Sequence, residues 1–460
     1  MTTTLVLPAE IALGLRELAR LDVETGGVLL ARLARTPTGN IRVLATDFIA
    51  VPDDAYERRE LGELLVTSDG YIPALRIAEE TQAIPLWLHT HPGDNSSPRP
   101  SKRDGVVDRD LAEVFRLRAE TPYYGAVIIS HRGDQLTFTG HLESEQERIR
   151  IDRLFTVGDR IELERHHEDG HAELPSLFER NIRAFGGDIQ RVLSDLTIGI
   201  VGCGGTGSAV AEQLVRLGVR KFILVDPDEV AESNLTRLYG STAEDVGRPK
   251  VDVVGDHLQG IAPDSTVKRI AEMVTIEHAA HALTDADIIF GCTDDNAGRL
   301  VLSRMAYYML IPVFDCGVLL TSDTEHHLDG IHGRVTSLYP GSACLVCRNR
   351  IDIARASSEL LTPAERNRRV DEGYAPALED VEPAVVVFTT IVAAAAVGEL
   401  LERLTKYGAE PVPSEVLLRI HDREVSTNLA SPRERHYCHP ASGKLGRGDT
   451  DPFLEQTWSA

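Results

Sequence analysis

The sequence predicts an α/β protein, a mixed α+β domain followed by a mainly parallel sheet domain, and three observations carry that expectation. First, an apolar run at 198–201 leads through Gly202, Gly204, Gly205 and Gly207 into helical apolar spacing over 208–217. A buried parallel strand, a glycine turn and a helix start make a phosphate cradle. Glycine lets the backbone approach an anion, and the free N–H groups of the first helical turn face it. Second, another apolar strand, 222–225, ends in Asp226, about 20 residues after the glycines, where a ribose-binding acid belongs. Third, residues 1–145 alternate strand and helix signals, and one apolar strand, 85–88, runs out in His89-Thr-His91.

Composition bounds the rest. At 460 residues the chain has room for two or three domains with full cores. Hydrophobic residues make up 42% and charged residues 26%, the balance of an ordinary globular protein. The net charge of −23 comes with no basic stripe, which argues against nucleic acid as a partner. The first ten residues have no charged lead-in and no long apolar stretch. The longest apolar-rich run, 384–397, is interrupted by Thr389 and Thr390 and is too short for a bilayer. Six cysteines in a long chain read as leaderless point to metal or redox roles in a reducing compartment. The expected location is cytoplasmic, with no membrane partner.

In the first domain, residues 5–7 read as a strand and 9–21 as an amphipathic helix. Glu24 precedes a glycine turn into a strand, and 41–49 is another strand. After His91 a loop rich in Gly, Asn, Ser and Pro leads to Ser101 and Asp104 and a helix over 104–119. Strands at 124–130 and 135–139 close the unit. Two histidines at i and i+2 on an extended chain point to one side. An Asp at a helix start a dozen residues on can return to complete a three-ligand zinc site, whose fourth position holds an acidified water. Glu24, on an otherwise apolar turn, is the candidate general base. The set Glu24, His89, His91, Ser101 and Asp104 resembles the JAMM (JAB/MPN) metalloproteases. Nine residues separate His91 from Ser101, a longer gap than the commonest form has. The internal spacing from Ser101 to Asp104 is kept, so the difference reads as a loop insertion. The resemblance implies a cytidine-deaminase-like α+β fold, a catalytic zinc on His89, His91 and Asp104, and Ser101 steadying the tetrahedral intermediate. It also implies cleavage beside the C-terminus of a ubiquitin-like protein. Structural histidines in an inactive scaffold are the alternative.

Residues 141–175 are charged and histidine-rich and read as a helix followed by a solvated linker. The expected boundaries are a first domain over 1–145, a linker over 146–175, a second domain over 176–440 and a loose tail over 441–460. The glycine turn alone fits NAD as well as ATP. Asn234, Arg237 and Lys250 add an amide and two cations downstream of Asp226. A triphosphate being cleaved needs such cations on its oxygens, where a redox dinucleotide does not. Asp294, after a strand at 287–290, offers a carboxylate to magnesium. With these residues in place, 176–435 resembles the ThiF-like adenylyltransferases, the superfamily of ubiquitin-activating enzymes and of the molybdopterin-synthase and thiamin-thiocarboxylate activators. The resemblance implies a Rossmann-like sheet binding ATP and magnesium, and a homodimer in which Arg180 reaches the ATP phosphates across the interface. A surface arginine on a lead-in helix is the alternative for Arg180.

Further strands are expected at 311–314 and 333–338, then a polar crossover loop over 350–380 hinged at Gly373. A long helix over 385–406 and sheet elements at 417–420 and 428–429 follow. Cys344 and Cys347 form half a zinc site. The resemblance puts the other half near the C-terminus, where this chain has His436, Cys438 and His439. Cys438 with one of the two histidines would close a Cys₃His structural zinc site, with a redox Cys-x-x-Cys as the runner-up. The acyl-accepting cysteine of many relatives maps to about Asp380, and no cysteine lies between Cys347 and Cys438. Direct transfer of an acyl-adenylate to an outside nucleophile is therefore expected. The whole reads as ATP-dependent adenylation of a ubiquitin-like C-terminus, coupled in one chain to a zinc peptidase that processes or deconjugates it. A peptide or sulfur-carrier C-terminus, or a non-catalytic partner of a ubiquitin-like protein, are the alternatives.

Overall fold

A computed structural model of the chain describes residues 1–166, 173–323, 327–361, 384–456 and 458. It divides into two compact units, Met1–Ala172 with Gly446–Asp449, and Glu173–Leu445 with Thr450–Ala460. No helix among the described residues is long and apolar enough to cross a membrane.

The first unit begins with β1 (Thr3–Pro8), α1 (Ala9–Ala19), β2 (Gly26–Arg35) and β3 (Ile41–Ala50). A hairpin of β4 (Tyr56–Glu60) and β5 (Glu63–Val66) leads to α2 (Ile72–Thr81), β6 (Ile84–Asp94) and α3 (Asp104–Arg118). Then come β7 (Tyr124–Arg132), β8 (Gln135–Glu143), β9 (Arg148–Arg150), β10 (Arg153–Val157) and β11 (Ile161–Arg165). Nine of these strands form one sheet in the order β11-β10-β1-β3-β2-β6-β7-β8-β9. Alternation along β6 sorts its side chains between two cores. Leu86 and Leu88 join Leu15 of α1 in one, and Trp87 joins Phe115 of α3 in the other. His89 follows on the Trp87 side, so strand parity alone turns it toward α3.

Residues 148–165 differ from the expected helix and linker. β9, β10 and β11 lie there, and β10 pairs in parallel with the first strand of the chain. Ile161 and Leu163 are buried while the glutamates between and after them are not. A count of charges hides that period of two. The terminal residues also pack: Phe453 and Leu454 are buried, Phe453 stacks on His281, and Lys444 bonds Glu455 at 2.6 Å. Gly373 and Asp380, with most of the expected crossover loop, lie outside the described residues.

In the second unit, α4 (Glu179–Phe185) and α5 (Gly187–Asp195) precede β12 (Thr197–Val201), α6 (Gly205–Arg216) and β13 (Lys221–Val225). α7 (Lys250–Ile261), β14 (Thr266–Ile270), α8 (Glu277–Ala282), β15 (Ile288–Gly291) and α9 (Asn296–Tyr308) follow. The strands β16 (Val313–Ser322), β17 (Leu328–Leu338), β18 (Glu415–Arg419) and β19 (Glu424–Asn428) complete a sheet ordered β14-β13-β12-β15-β16-β17-β18-β19. It is parallel from β14 to β16 and antiparallel beyond. Strand order reverses at β12, with β13 on one side and β15 on the other. The carboxyl ends of β12 and β15 therefore flank the crevice in which open α/β sheets take ligands.

One buried ion cluster stiffens this region. Asp315 is 1% exposed and accepts from Arg299 at 2.9 and 2.7 Å and from Arg334 at 2.6 Å. Burial alone would push its carboxyl up, but the two guanidiniums hold it below the usual carboxylate range. Asp315→Ala would leave two buried cations facing each other, and we expect it to cost about 3–5 kcal/mol in urea unfolding. A loss below about 1 kcal/mol would show that the guanidiniums find other partners.

Candidate functional site

Sterics fix the glycine turn after β12. Gly202 has φ +88°, and a Cβ there would lie 2.6 Å from the Cys292 carbonyl carbon. A Cβ on Gly207 would collide with the carbonyl oxygen of Gly202. These positions accept only glycine, and they close the start of α6 onto the strand end. Gly204 precedes α6 in extended conformation and Gly205 opens it. Asp226, at the end of β13, is 5% exposed; its Oδ2 accepts from the Cys203 amide at 2.6 Å and its Oδ1 from the Asp228 amide at 2.9 Å. Burial pushes this carboxyl up against the pull of Lys250 and the two amides.

Lys250 opens α7, with its Nζ 2.6 Å from Asp228 Oδ2 and 4.0 Å from Asp226 Oδ1. The Arg237 stem lies over Gly205, where a Cβ would sit 3.2 Å from Arg237 Cδ. The predicted glycines, Asp226, Arg237 and Lys250 thus converge at the strand-order reversal. Asn234 turns back on its own segment, its Oδ1 accepting from the Ala231 amide at 3.1 Å. Asp294 is exposed beyond β15, and its neighbour Asp295, not Asp294, caps α9 by accepting from the Gly298 amide. Arg180 is exposed on α4. Sequence reasoning missed Asp228, the acid that holds Lys250. Its signal was a second carboxylate two residues past the ribose-type acid.

In the first unit, Gly26 at the start of β2 lies opposite His89, and the Thr25 amide donates to Thr90 Oγ1 at 3.0 Å. That pairing sets Glu24 beside the end of β6. His89 Nε2 is 3.8 Å and His91 Nε2 3.5 Å from the two Asp104 oxygens. One ligand atom from each of the three lies within 4.8 Å of the others. Both ring nitrogens of His89 are buried with no hydrogen-bond partner among the described residues, a demand that a metal would meet. The Ser101 amide donates to Asp104 Oδ2 at 2.6 Å, and the Asp104 amide donates to Ser101 Oγ at 3.1 Å. This reciprocal pair fixes the start of α3. Burial pushes the Asp104 carboxyl up, but the two imidazoles and the Ser101 amide hold it well below its usual range. Burial also raises Glu24, opposed by His89 and His91. Glu24, His89, Ser101 and Asp104 line a cavity of about 360 Å³.

A second metal-type cluster lies in the second unit. Cys344 Sγ is 3.4 Å from His436 Nδ1, His436 Nδ1 is 3.3 Å from Cys438 Sγ, and Cys347 Sγ is 3.6 Å from Cys438 Sγ. All four ligand atoms lie within 4.8 Å of one another. Tetrahedral zinc with bonds of about 2.3 Å to sulfur and 2.0–2.1 Å to nitrogen gives edges of about 3.5–3.8 Å, so the donor set fits. The hydrogen bond between Cys344 and Cys438 pulls the Cys344 thiol down and pushes the Cys438 thiol up. His439 is engaged elsewhere, its Nδ1 accepting from the Ala441 amide at 3.1 Å.

Comparison with known proteins bears on the second unit. The chain is 31% identical over 149 residues to tRNA threonylcarbamoyladenosine dehydratase 2 of Saccharomyces cerevisiae, covering 32% of this chain and 33% of that protein. It is 37% identical over 126 residues to the Sulfur carrier protein ThiS adenylyltransferase of Escherichia coli, covering 27% and 50%. With the Molybdopterin-synthase adenylyltransferase of Escherichia coli it shares 29% over 170 residues, covering 37% and 65%. The chain thus spans from a third to just under two thirds of these relatives' lengths. Among solved structures, the Microcin C7 biosynthetic enzyme MccB in complex with N-formylated MccA superposes with a TM-score of 0.45 at 18% identity, covering 57% of this chain and 76% of that one. The ThiF family model matches residues 178–439, more than half of the sequence, and the chain belongs to the ThiF family.

Proposed function

We propose that the second unit uses ATP and magnesium to adenylate the C-terminal carboxylate of a ubiquitin-like protein. The observation that carries this reading is the position of Lys250, held between Asp226 and Asp228 at the strand ends while Arg237 lies across the start of α6. In this reading the glycine turn and helix start take the phosphates, and Asp226 takes the ribose hydroxyls. A carboxylate oxygen bonds to the α-phosphorus as the bond to pyrophosphate breaks. Arg237 and Lys250 meet the negative charge that moves onto the leaving group. Asp294 is the residue that would hold magnesium, which supplies further neutralisation there. Arg180, exposed on α4, would serve the phosphates of a second copy in a homodimer. Two relatives carry names that tie them to a sulfur carrier and to molybdopterin synthase, which keeps a sulfur-carrier or peptide C-terminus as the alternative substrate. The test is carboxylate-dependent ATP–pyrophosphate exchange. Tight NAD binding with no exchange for any carboxyl partner would sink the reading.

For the first unit we propose a zinc peptidase of the JAMM type that cuts beside such a C-terminus. His89, His91 and Asp104 would hold the zinc, which supplies an acidified water. Glu24 takes that water's proton and passes it to the leaving amine. Ser101 Oγ accepts from the Asp104 amide, so its own proton is free to steady the tetrahedral oxyanion. Joining the two activities in one chain raises the local concentration of one near the product of the other. We expect Glu24→Ala to keep bound zinc and to cut a ubiquitin-like fusion about 10²–10⁴-fold more slowly. Cleavage at the wild-type rate would end the assignment. A non-catalytic binding partner would show neither exchange nor cleavage.

A further inference from the structure

The periodicities that aim the metal-type residues also aim apolar side chains beside them. On β6, Trp87 precedes His89 by two residues and shares its face, roughly 7 Å away at the rise of a strand. On α3, Val107 and Leu111 follow Asp104 at helical spacings of three and seven, on the same face. All five line the cavity of about 360 Å³ that Glu24 and Ser101 also line. Its third side is β5, where Leu64, Leu65 and Val66 are half-buried. Glu63 of that strand accepts from Arg103, the residue before α3, at 2.5 Å, which ties this side to the helix start. Trp87 and Leu111 belong to a buried apolar cluster, and Leu64, Val66 and Val107 pack against it only partly buried. The cluster is therefore open beside the metal-type residues.

The polar groups of the same cavity are paired within the chain or sealed from its surface. Asp108 accepts from Arg148 at 2.8 Å and faces the fully buried Tyr124 phenol. Arg148 also donates to His141 Nδ1 at 3.2 Å, and Thr139 Oγ1 lies 3.1 Å from His166 Nε2. Asp108 Oδ1 and His141 Nε2 are buried beneath the surface. Away from the metal-type end a guest meets hydrocarbon. A charged side chain would lose its hydration there without a partner, and a glycine would leave the apolar walls unfilled.

We propose that this cavity is the specificity subsite of the first unit and takes a large aliphatic side chain, with leucine as its type. That side chain belongs to one of the two residues that the scissile bond joins. The substrate class is a peptide or protein tail with such a residue at the cut, as opposed to one with glycine on both sides. The cutting step rests on the peptidase reading above, whereas the binding step does not.

The test uses Trp87 as the reporter. The chain has two tryptophans, so Trp458→Phe leaves one indole, on the cavity wall. Adding Glu24→Ala, with zinc bound, lets a peptide bind without being cut. Capped pentaglycines whose central residue is Leu, Lys or Gly are titrated in. The Leu peptide is expected to move Trp87 emission to shorter wavelength, saturating at a concentration at least about tenfold below that for Lys or Gly. Leu65→Asp, from the hairpin, or Val107→Asp, from α3, should bring the three peptides within about threefold of one another. Circular dichroism checks that each variant is folded. Equal affinity for the three peptides, no emission shift with any of them, or a Leu preference that survives in a folded Leu65→Asp or Val107→Asp chain overturns the proposal. Cleavage is read separately on the zinc-loaded wild-type chain. A Leu peptide bound but uncut supports the subsite and counts against the peptidase. Leu and Gly peptides cut equally fast overturn the subsite and leave the peptidase standing.

Discussion

Lys250→Ala is expected to slow carboxylate-dependent ATP–pyrophosphate exchange by about 10²–10³-fold, roughly 3–4 kcal/mol of transition-state stabilisation. The ammonium is mostly buried at the first residue of α7 and is already oriented by Asp228 at 2.6 Å. A charge held in place before the reaction costs no reorganisation when the pyrophosphate leaves. Truncation also uncovers Asp226 and Asp228, two carboxylates that repel a triphosphate, so both ATP affinity and turnover should fall. Asp226 keeps its amide donors from Cys203 and Asp228, and so the ribose end stays formed. Lys250→Arg should rescue only in part, because a planar fork does not replace a compact ammonium beside two acids. Exchange within about threefold of wild type in Lys250→Ala would move the phosphate-binding role to Arg237.

What could be read from the sequence follows the range of the physics involved. Gly202 and Gly207 were legible because a local backbone conflict, visible in the spacing, admits no other residue. Asp226 was legible because a strand end fixes where its carboxylate goes, and His89 because strand parity sends it to the Trp87 face. Misreadings arose where a longer-range term decides. The charged stretch at 148–165 forms strands because β10 finds the first strand of the chain and alternate apolar residues then have a core to enter. His141 of β8, Arg148 of β9 and Asp108 of α3 meet only through the β8–β9 pairing and the placement of α3, so no local motif announces them. Asp228 stands in the sequence as a second carboxylate past Asp226, but its hold on Lys250 depends on the path of that side chain.

The second large effect concerns the cysteine cluster, where sequence left two histidines open. The protein is expected to carry zinc on Cys344, Cys347, His436 and Cys438, and His436→Ala or Cys438→Ala should release it. His439→Ala should keep it, because its Nδ1 already accepts from the Ala441 amide. Amides prepare the thiolates: Cys347 donates to Cys344 Sγ at 3.4 Å and Arg433 to Cys347 Sγ at 3.5 Å. The site joins two segments about 90 residues apart, as the spacing of Cys347 and Cys438 requires. Metal binding there is folding free energy, so its loss should cost several kcal/mol in urea unfolding. Metal analysis on each variant and the unfolding midpoint with and without chelator measure both effects. The redox alternative makes the opposite forecast: a chain free of zinc whose Cys344 and Cys347 form a disulfide under mild oxidant. Retention of zinc in His436→Ala with its loss in His439→Ala would instead mean that the segment after Tyr437 turns the other way when the metal binds.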